Sequence, residues 1–322
     1  VFLFSQRLEE SMMEKVEPRL YGLFGDPVAH SLSPDLQNEA FRLLGVKGVY
    51  LKFRIKPEEL GMALEAVRVL QFGGVNITIP HKEKVIPYLD QLAGDALLTG
   101  SVNTVVSADG RLIGYSTDGE GFLLSLRNEG RLDPAGKTVV LLGVGGAARA
   151  IAFRLVQEGI ATLYLVGRDA EKTQGLTAAL QEKTGFTAEG FSFAVPGLQQ
   201  LAGQADLIIN ATPLGMAPDT NRYPAFPLEA CRPGCLVADL VYHPLETAFL
   251  KQARRLGLPT LEGLGMLVYQ GILACRLWTG FTPPFAPLSQ LLTVLLRPEA
   301  SLEGLVTEKP PGAAGKSRPV TK

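Results

Sequence analysis

Residues 136–169 read GKTVVLLGVGGAARAIAFRLVQEGIATLYLVGRD. An apolar strand, a glycine turn, a helical stretch and a second apolar strand follow one another with no spare residues. Two parallel strands need a helical crossover, so this order commits the chain to a βαβ unit and a sheet with helices laid on it. Gly143 permits the tight turn, Gly145 lets the backbone approach a pyrophosphate, and Ala148 stands where the third small residue of such a turn is needed. The helix that follows presents unpaired N–H groups and a positive dipole end to an anion. A tight turn with no ligand is the bland alternative; the strand before it and the helix after it favour the ligand. Gly143, Val144, Gly145, Gly146 and Ala147 are the candidate dinucleotide-binding turn.

The end of the second strand bears on which dinucleotide is held. A NAD site places Asp or Glu there for the ribose 2′-hydroxyl. Here Gly167 and Arg168 occupy that place, with Asp169 just after. Arg168 can face a 2′-phosphate through a charge-assisted pair, and Lys172 stands one helical turn later. Asp169 acts in the opposite sense, because it repels a phosphate. The balance predicts NADP.

The rest of the chain alternates in the same manner. LYGLFG, VYLKFRI and GVNITI read as strands; PDLQNEAFRLLG reads as a helix with Leu36, Ala40, Phe41 and Leu44 on one face and Gly45 as its stop. Pro57 opens a helix to about Leu70, and Pro80 is expected to open another. VNTVVSADGRLIGY reads as a hairpin turning on Asp109-Gly110. A helix follows Asp118 and ends near Gly130. ADLIINAT and CLVADLVY are further strands, a helix is expected from about Pro244 to Leu256, and another starts near Gly265. The fold class is α/β with two domains: an open N-terminal α/β domain and a Rossmann-like dinucleotide-binding domain. The expected division is 1–118 plus 257–322, against 119–256. The tail after about 309 is rich in Pro, Gly and charge and reads as disordered.

Composition removes several function classes. A net charge of −1 over 322 residues gives no electrostatic reason to expect a nucleic acid or an anionic membrane. No apolar run is long enough to span a bilayer, and the first residues lack a basic leader. Cys231, Cys235 and Cys275 form neither a disulfide framework nor a zinc set, so free thiols, no metal and a cytoplasmic setting are expected. The partners expected are small molecules, with the chain a monomer or a homodimer.

Some residues ask for a chemical explanation. If Pro80 starts a helix, Lys82 lies in its first turn, where the dipole disfavours a cation. Local stability then explains Lys82 poorly, and the same dipole favours the neutral amine, as proton transfer requires; on this segment alone, however, a solvated surface lysine is the favoured reading. Asp118 has the bland reading of an N-cap, and Asn103 that of a buried amide. His30 and His81 adjoin turns and are explained as local hydrogen-bonding groups. No serine-hydrolase elbow is present.

The segments GDPVAHSLSPDLQNEAF, GVNITIPHKEKV, GSVNTV, GYSTDGEGF, GVGGAARA, NATPLGM, DLVYHPLETAFL and EGLGMLVYQG occur in this order between about Tyr21 and Leu292. Together they resemble the shikimate dehydrogenase family, which reduces 3-dehydroshikimate with NADPH in aromatic amino-acid biosynthesis. The resemblance implies that Ser31 and Ser33 hold the substrate carboxylate. Pro34 agrees with this, since it removes a backbone donor from the helix start and leaves hydroxyls to serve an anion. It implies that Lys82 is the catalytic general acid and base, and that Asp118 orients it and holds a substrate hydroxyl. Thr78, Asn103, Tyr242 and Gln270 match substrate contacts; Gly263 and Met266 match positions near the nicotinamide. Three positions depart from the family pattern: Gln37 stands where histidine is common, Ser101 where alanine is usual, and Gly167-Arg168-Asp169 replaces Asn-Arg-Thr. The alternatives are an NAD-preferring quinate/shikimate dehydrogenase and a catalytically silent dinucleotide sensor on the same fold.

Overall fold

The computed structural model describes residues 18–194 and 196–297. The N-terminal extension and the tail expected to be disordered lie outside these residues. The first sheet contains β1 (Arg19–Gly25), β2 (Gly48–Arg54), β3 (Gly74–Ile77), β4 (Gln91–Leu92), β5 (Thr104–Ala108) and β6 (Arg111–Tyr115). Its order is β2-β1-β3-β5-β6-β4. Helices α1 (Ser33–Leu44) and α2 (Leu60–Val69) supply the crossovers that make β1 parallel to both β2 and β3. Gly45 ends α1 at φ 66°, as its missing Cβ allows. The expected hairpin joins β5 to β6, and Asp109 and Gly110 both take positive φ. Two further helices follow: α3 (Asp95–Thr99) and α4 (Asp118–Asn128).

The second sheet contains β7 (Thr138–Leu142), β8 (Thr162–Gly167), β9 (Glu189–Ser192), β10 (Leu207–Asn210), β11 (Leu236–Asp239) and β12 (Thr260–Leu261). It is parallel throughout, in the order β12-β11-β10-β7-β8-β9. Its helices are α5 (Gly146–Gln157), α6 (Ala170–Thr184), α7 (Leu198–Gln204) and α8 (Ala248–Arg255). Alternate residues of the strands serve opposite faces. Val139, Leu141, Leu163 and Ile209 pack against Ile151 and Leu155 of α5 and Leu126 of α4. Val140, Leu142, Ile208 and Val237 pack against α7 and α8. The winding reverses between β7 and β10, which opens a crevice at their carboxyl ends. The Gly143 turn sits there.

The chain is still on the second sheet at Leu261, where β12 pairs with β11. Then α9 (Gly263–Thr279) and α10 (Phe285–Leu296) return to the first sheet. Val268, Ile272, Cys275 and Trp278 of α9 pack with Tyr21, Leu36 and Phe41, while Met266, nearer its start, joins the core around Leu126. One helix therefore bears on both cores. No helix among the described residues is long and apolar enough to cross a membrane.

Two expected helices differ. Pro80 opens no α-helix; residues 79–80 and 82–85 form turns, followed by a 3-10 turn at Ile86–Tyr88. Tertiary contacts outweigh the local proline signal there. The Lys82 carbonyl accepts from the Val102 N–H at 2.8 Å, and the buried His81 ring nitrogen Nε2 lies 2.7 Å from the Ile55 carbonyl. The helix expected from Pro244 starts at Ala248 instead, because Thr247 caps it through the Leu250 N–H.

Candidate active site

The turn after β7 meets the segments after β3 and before β5 at Gly146, Lys82 and Ser101, and the side chains of interest come from these ends. Lys82 is held by the turns after β3, and Asp118 is the first residue of α4. Their side chains meet: Lys82 Nζ lies 2.5 Å from Asp118 Oδ2, with side-chain exposures of 16% and 6%. Asp118 is therefore not an N-cap. Thr117 holds that position with no side-chain cap, and the carboxylate is spent on partners outside its own helix. Lys82 is likewise not a first-turn cation, so the helix-dipole argument for it does not apply. A nearly buried ion pair contributes little net stability, because desolvation offsets the attraction. Stability alone is thus a poor reason for this pair.

Asn103, at the start of β5, is the hub of the site. Its Nδ2 donates to Asp118 Oδ1 at 2.8 Å and to Thr117 Oγ1 at 2.8 Å, and lies 3.3 Å from Gln270 Oε1. Its Oδ1 accepts from the Thr117 N–H at 2.8 Å. Asn76 donates to the Asn103 carbonyl and to Thr104 Oγ1, and the Tyr50 hydroxyl donates to Asn76 Oδ1 at 2.7 Å. Tyr50 is fully buried, which holds its phenol well above the ordinary range, with the Ser33 side chain as an opposing influence. The hydrogen-bonded network thus runs from Tyr50 to the ion pair. Sequence reading missed Tyr50, Asn76, Thr104 and Thr117. The available signal was a polar residue set inside an apolar strand, as Asn76 is in GVNI.

Ser31 and Ser33 place their hydroxyls 3.1 Å apart at the start of α1. Leu32 holds the cap position and makes no side-chain cap bond. Ser31 Oγ accepts from the Ser33 N–H at 3.2 Å and donates to Ser33 Oγ, so the two half-buried hydroxyls are held side by side at the first turn. Tyr242 joins them. Burial pushes its hydroxyl up, and contacts with the Ser31 side chain and Leu32 backbone act the other way. Tyr242 is carried by the segment between β11 and α8, which Asp239 fixes through Thr247 Oγ1 at 2.6 Å, the Val241 N–H and Asn210. Burial raises the Asp239 carboxyl to about 6. Thr78 is half-buried at the end of β3, where its methyl fills the space a Cβ at Gly25 needs. Gln270 of α9 packs against Gly121 of α4, at a separation that leaves no room for a Cβ.

The glycine turn adjoins this cluster. A Cβ at Gly146 would sit 3.3 Å from the Lys82 side chain and 3.2 Å from Ser101 Oγ. Gly143 takes φ 107° with the Ala211 carbonyl against it, so only glycine suits that position. Gly145 faces open space, and α5 starts there without a side-chain cap. An uncapped helix start, open in front, is a good seat for a pyrophosphate. Val144 and Ala147 are half-buried beside it. At the end of β8, Asp169 caps α6 by accepting from the Lys172 N–H at 3.1 Å. Its other oxygen lies 3.8 Å from Lys172 Nζ. Asp169 is thereby engaged, and Arg168 is left exposed beside the turn. Arg168 and Lys172 are thus the cations beside the turn that a 2′-phosphate could meet, with the Asp169 charge next to them. Gly263 is wedged under the Leu240 carbonyl, and Met266 is buried. The three cysteines are free, and no group of metal-ligating side chains occurs among the described residues.

Residues 23–105 match the family model for the shikimate dehydrogenase substrate-binding domain, and residues 263–292 match that for the shikimate 5′-dehydrogenase C-terminal domain. The chain is 43% identical to the shikimate dehydrogenase (NADP+) of Desulforamulus reducens over 271 residues, covering 84% of this chain and 93% of that one. A shikimate dehydrogenase solved in complex with NADP+ superposes with a TM-score of 0.81 at 37% identity, over 87% of this chain and 96% of that one. The quinate dehydrogenase of Corynebacterium glutamicum, solved with NAD, superposes with a TM-score of 0.78 at 32% identity, over 86% and 100%. With identity at this level along nearly the whole described fold, the chain belongs to the shikimate dehydrogenase family.

Proposed function

We propose that this protein is an NADP-dependent shikimate dehydrogenase that interconverts 3-dehydroshikimate and shikimate in chorismate biosynthesis, with Lys82 as the proton-transfer group. The observation that carries the reading is the Lys82–Asp118 ion pair lying against the Gly146 turn. In the direction of reduction, NADPH supplies a hydride to the ketone carbon. The Lys82 ammonium donates a proton to the ketone oxygen, and in the reverse direction the amine takes it back. Asp118 holds the ammonium in place and accepts from a neighbouring ring hydroxyl. Asn103 keeps the carboxylate oriented through its Nδ2. Ser31, Ser33 and Tyr242 bind the substrate carboxylate, with Thr78 and Gln270 as further ring contacts. The α5 amides receive the pyrophosphate, and Arg168, with Lys172 behind it, receives the 2′-phosphate. Gly263 and Met266 back the nicotinamide.

We further propose that residues 18–118, together with α9 and α10, form the substrate unit, and that the segment from 119 through β12 forms the cofactor unit. The partners are small molecules, and the protein works as a monomer or homodimer. Free thiols support a reducing cytoplasmic setting.

Steady-state rates with shikimate and quinate, each against NADP+ and NAD+, test the proposal. The expected result is a kcat/KM for shikimate with NADP+ that exceeds the other three. A larger value for quinate or for NAD+ makes the protein a quinate/shikimate dehydrogenase of the other preference. No turnover with any pair makes it a dinucleotide-binding protein without this chemistry.

A further inference from the structure

Helix α3 is short, belongs to the first sheet's half of the molecule, and leads through Gly100 and Ser101 to Asn103. Its last carbonyls are gripped from the other half. Arg149 of α5 donates through Nε to the Thr99 carbonyl, and Lys183 of α6 donates to the Leu98 carbonyl at 2.8 Å. Both cations also lie over the Phe153 ring, at 5.4 and 6.0 Å from its centroid. Arg154, one turn along α5, stands 3.9 Å from Asp95 at the other end of α3 and 2.8 Å from Glu120 of α4. Ser101 Oγ reaches the Gly146 carbonyl at 3.5 Å.

Two features make Arg149 the key member. Its partners among the described residues are a carbonyl and an aromatic ring, not a carboxylate. Burial lowers its pKa, with the Glu83 carboxylate acting the other way at longer range, so a half-buried guanidinium is held at this boundary. Its partners suit a cation: carbonyls at a helix C-terminus carry the negative end of the dipole, and a ring face attracts charge. The contact joins the helix that starts at the glycine turn to the segment that carries Asn103.

We propose that Arg149 is a positioning residue that latches the two halves in the arrangement both ligands require, without touching either ligand. The inference rests on the functional reading above, because it takes shikimate and NADPH as the two ligands. A latch of this kind has a linkage signature. If both ligands bind the latched arrangement, breaking the latch weakens each of them on the free enzyme by a common factor. With one ligand saturating, the arrangement is already selected, and the other ligand binds as in the wild type.

The test is calorimetric titration of the full chain with shikimate, with NADPH, and with shikimate in the presence of saturating NADPH, a pair that does not react. For Arg149→Ala both binary dissociation constants are expected to rise together, by roughly ten-fold for loss of one charge-assisted bond. The shikimate constant on the NADPH-saturated protein is expected to stay within about two-fold of wild type on the same argument. Arg149→Lys retains a donor and should restore part of the loss; Lys183→Ala should show the same pattern more weakly. A change in only one binary constant, or a fall in Tm with both constants unchanged, overturns the latch. Wild-type protein that neither binds nor turns over shikimate would instead sink the functional reading, a result separate from the latch.

Discussion

Asn103→Asp is a nearly isosteric change that places a second carboxylate where an amide now donates to Asp118 Oδ1 at 2.8 Å. Two ionised carboxylates at that distance repel by about 6 kcal/mol at an effective dielectric of about 20. That repulsion corresponds to roughly four pK units; Lys82, 2.5 Å from the other Asp118 oxygen, offsets part of it. The pair therefore retains one shared proton near neutral pH, as carboxylate dyads do. In the unfolded chain the same side chain titrates near 3.9. The folded variant binds the proton more tightly than the unfolded one. Its stability is fully present below about pH 4 and is lost as pH rises toward the folded value, by about 1.4 kcal/mol per pH unit. Urea denaturation of both proteins at several pH values between about 5 and 8 reads this directly. The gap between wild type and variant should widen as pH rises. A gap independent of pH, or one that narrows, would refute the placement of Asn103 against the Asp118 carboxylate.

Other changes probe other parts of the site. Arg168→Ala should raise KM for NADP+ by at least ten-fold, on the scale of a charge-assisted pair, while leaving KM for NAD+ nearly unchanged; equal changes would count against Arg168 as the 2′-phosphate residue. Tyr50→Phe removes the donor to Asn76 Oδ1 and strands a buried acceptor, at a cost of about 1–3 kcal/mol. Its Tm should fall and its KM for shikimate should rise, with KM for NADP+ unchanged. A variant as stable as wild type would show that the Tyr50–Asn76 bond has no such weight.

Much of this was legible before any coordinates. The Gly143 turn, the strand before it and the helix after it carry their own physical reason, and the structure reproduces them with φ 107° at Gly143. The ordered motifs also brought Lys82, Asp118, Asn103 and Gln270 into one reading, and these four converge. What sequence could not convey was how Lys82 is held. Proline followed by polar residues is a helix-start signal, yet here the backbone bonds across to Val102 and the His81 ring reaches Ile55. Such non-local bonds leave no mark in a local pattern. Asp169 shows the same limit in the other direction. As a letter it could serve a ribose hydroxyl or repel a phosphate; as a structure it also caps a helix by accepting from the Lys172 N–H. The links through Tyr50 and Asn76 were hidden for a related reason, since a tyrosine and an asparagine in strands have many ordinary uses.

The proposed reaction turns on the ammonium of Lys82 as the group that moves the proton. Its most direct test is the kcat of Lys82→Ala at saturating shikimate and NADP+, measured on protein shown by calorimetry to bind both. The predicted result is a kcat lower by about 10²–10⁴-fold, with binding of both ligands retained. A kcat close to that of the wild type would contradict the account.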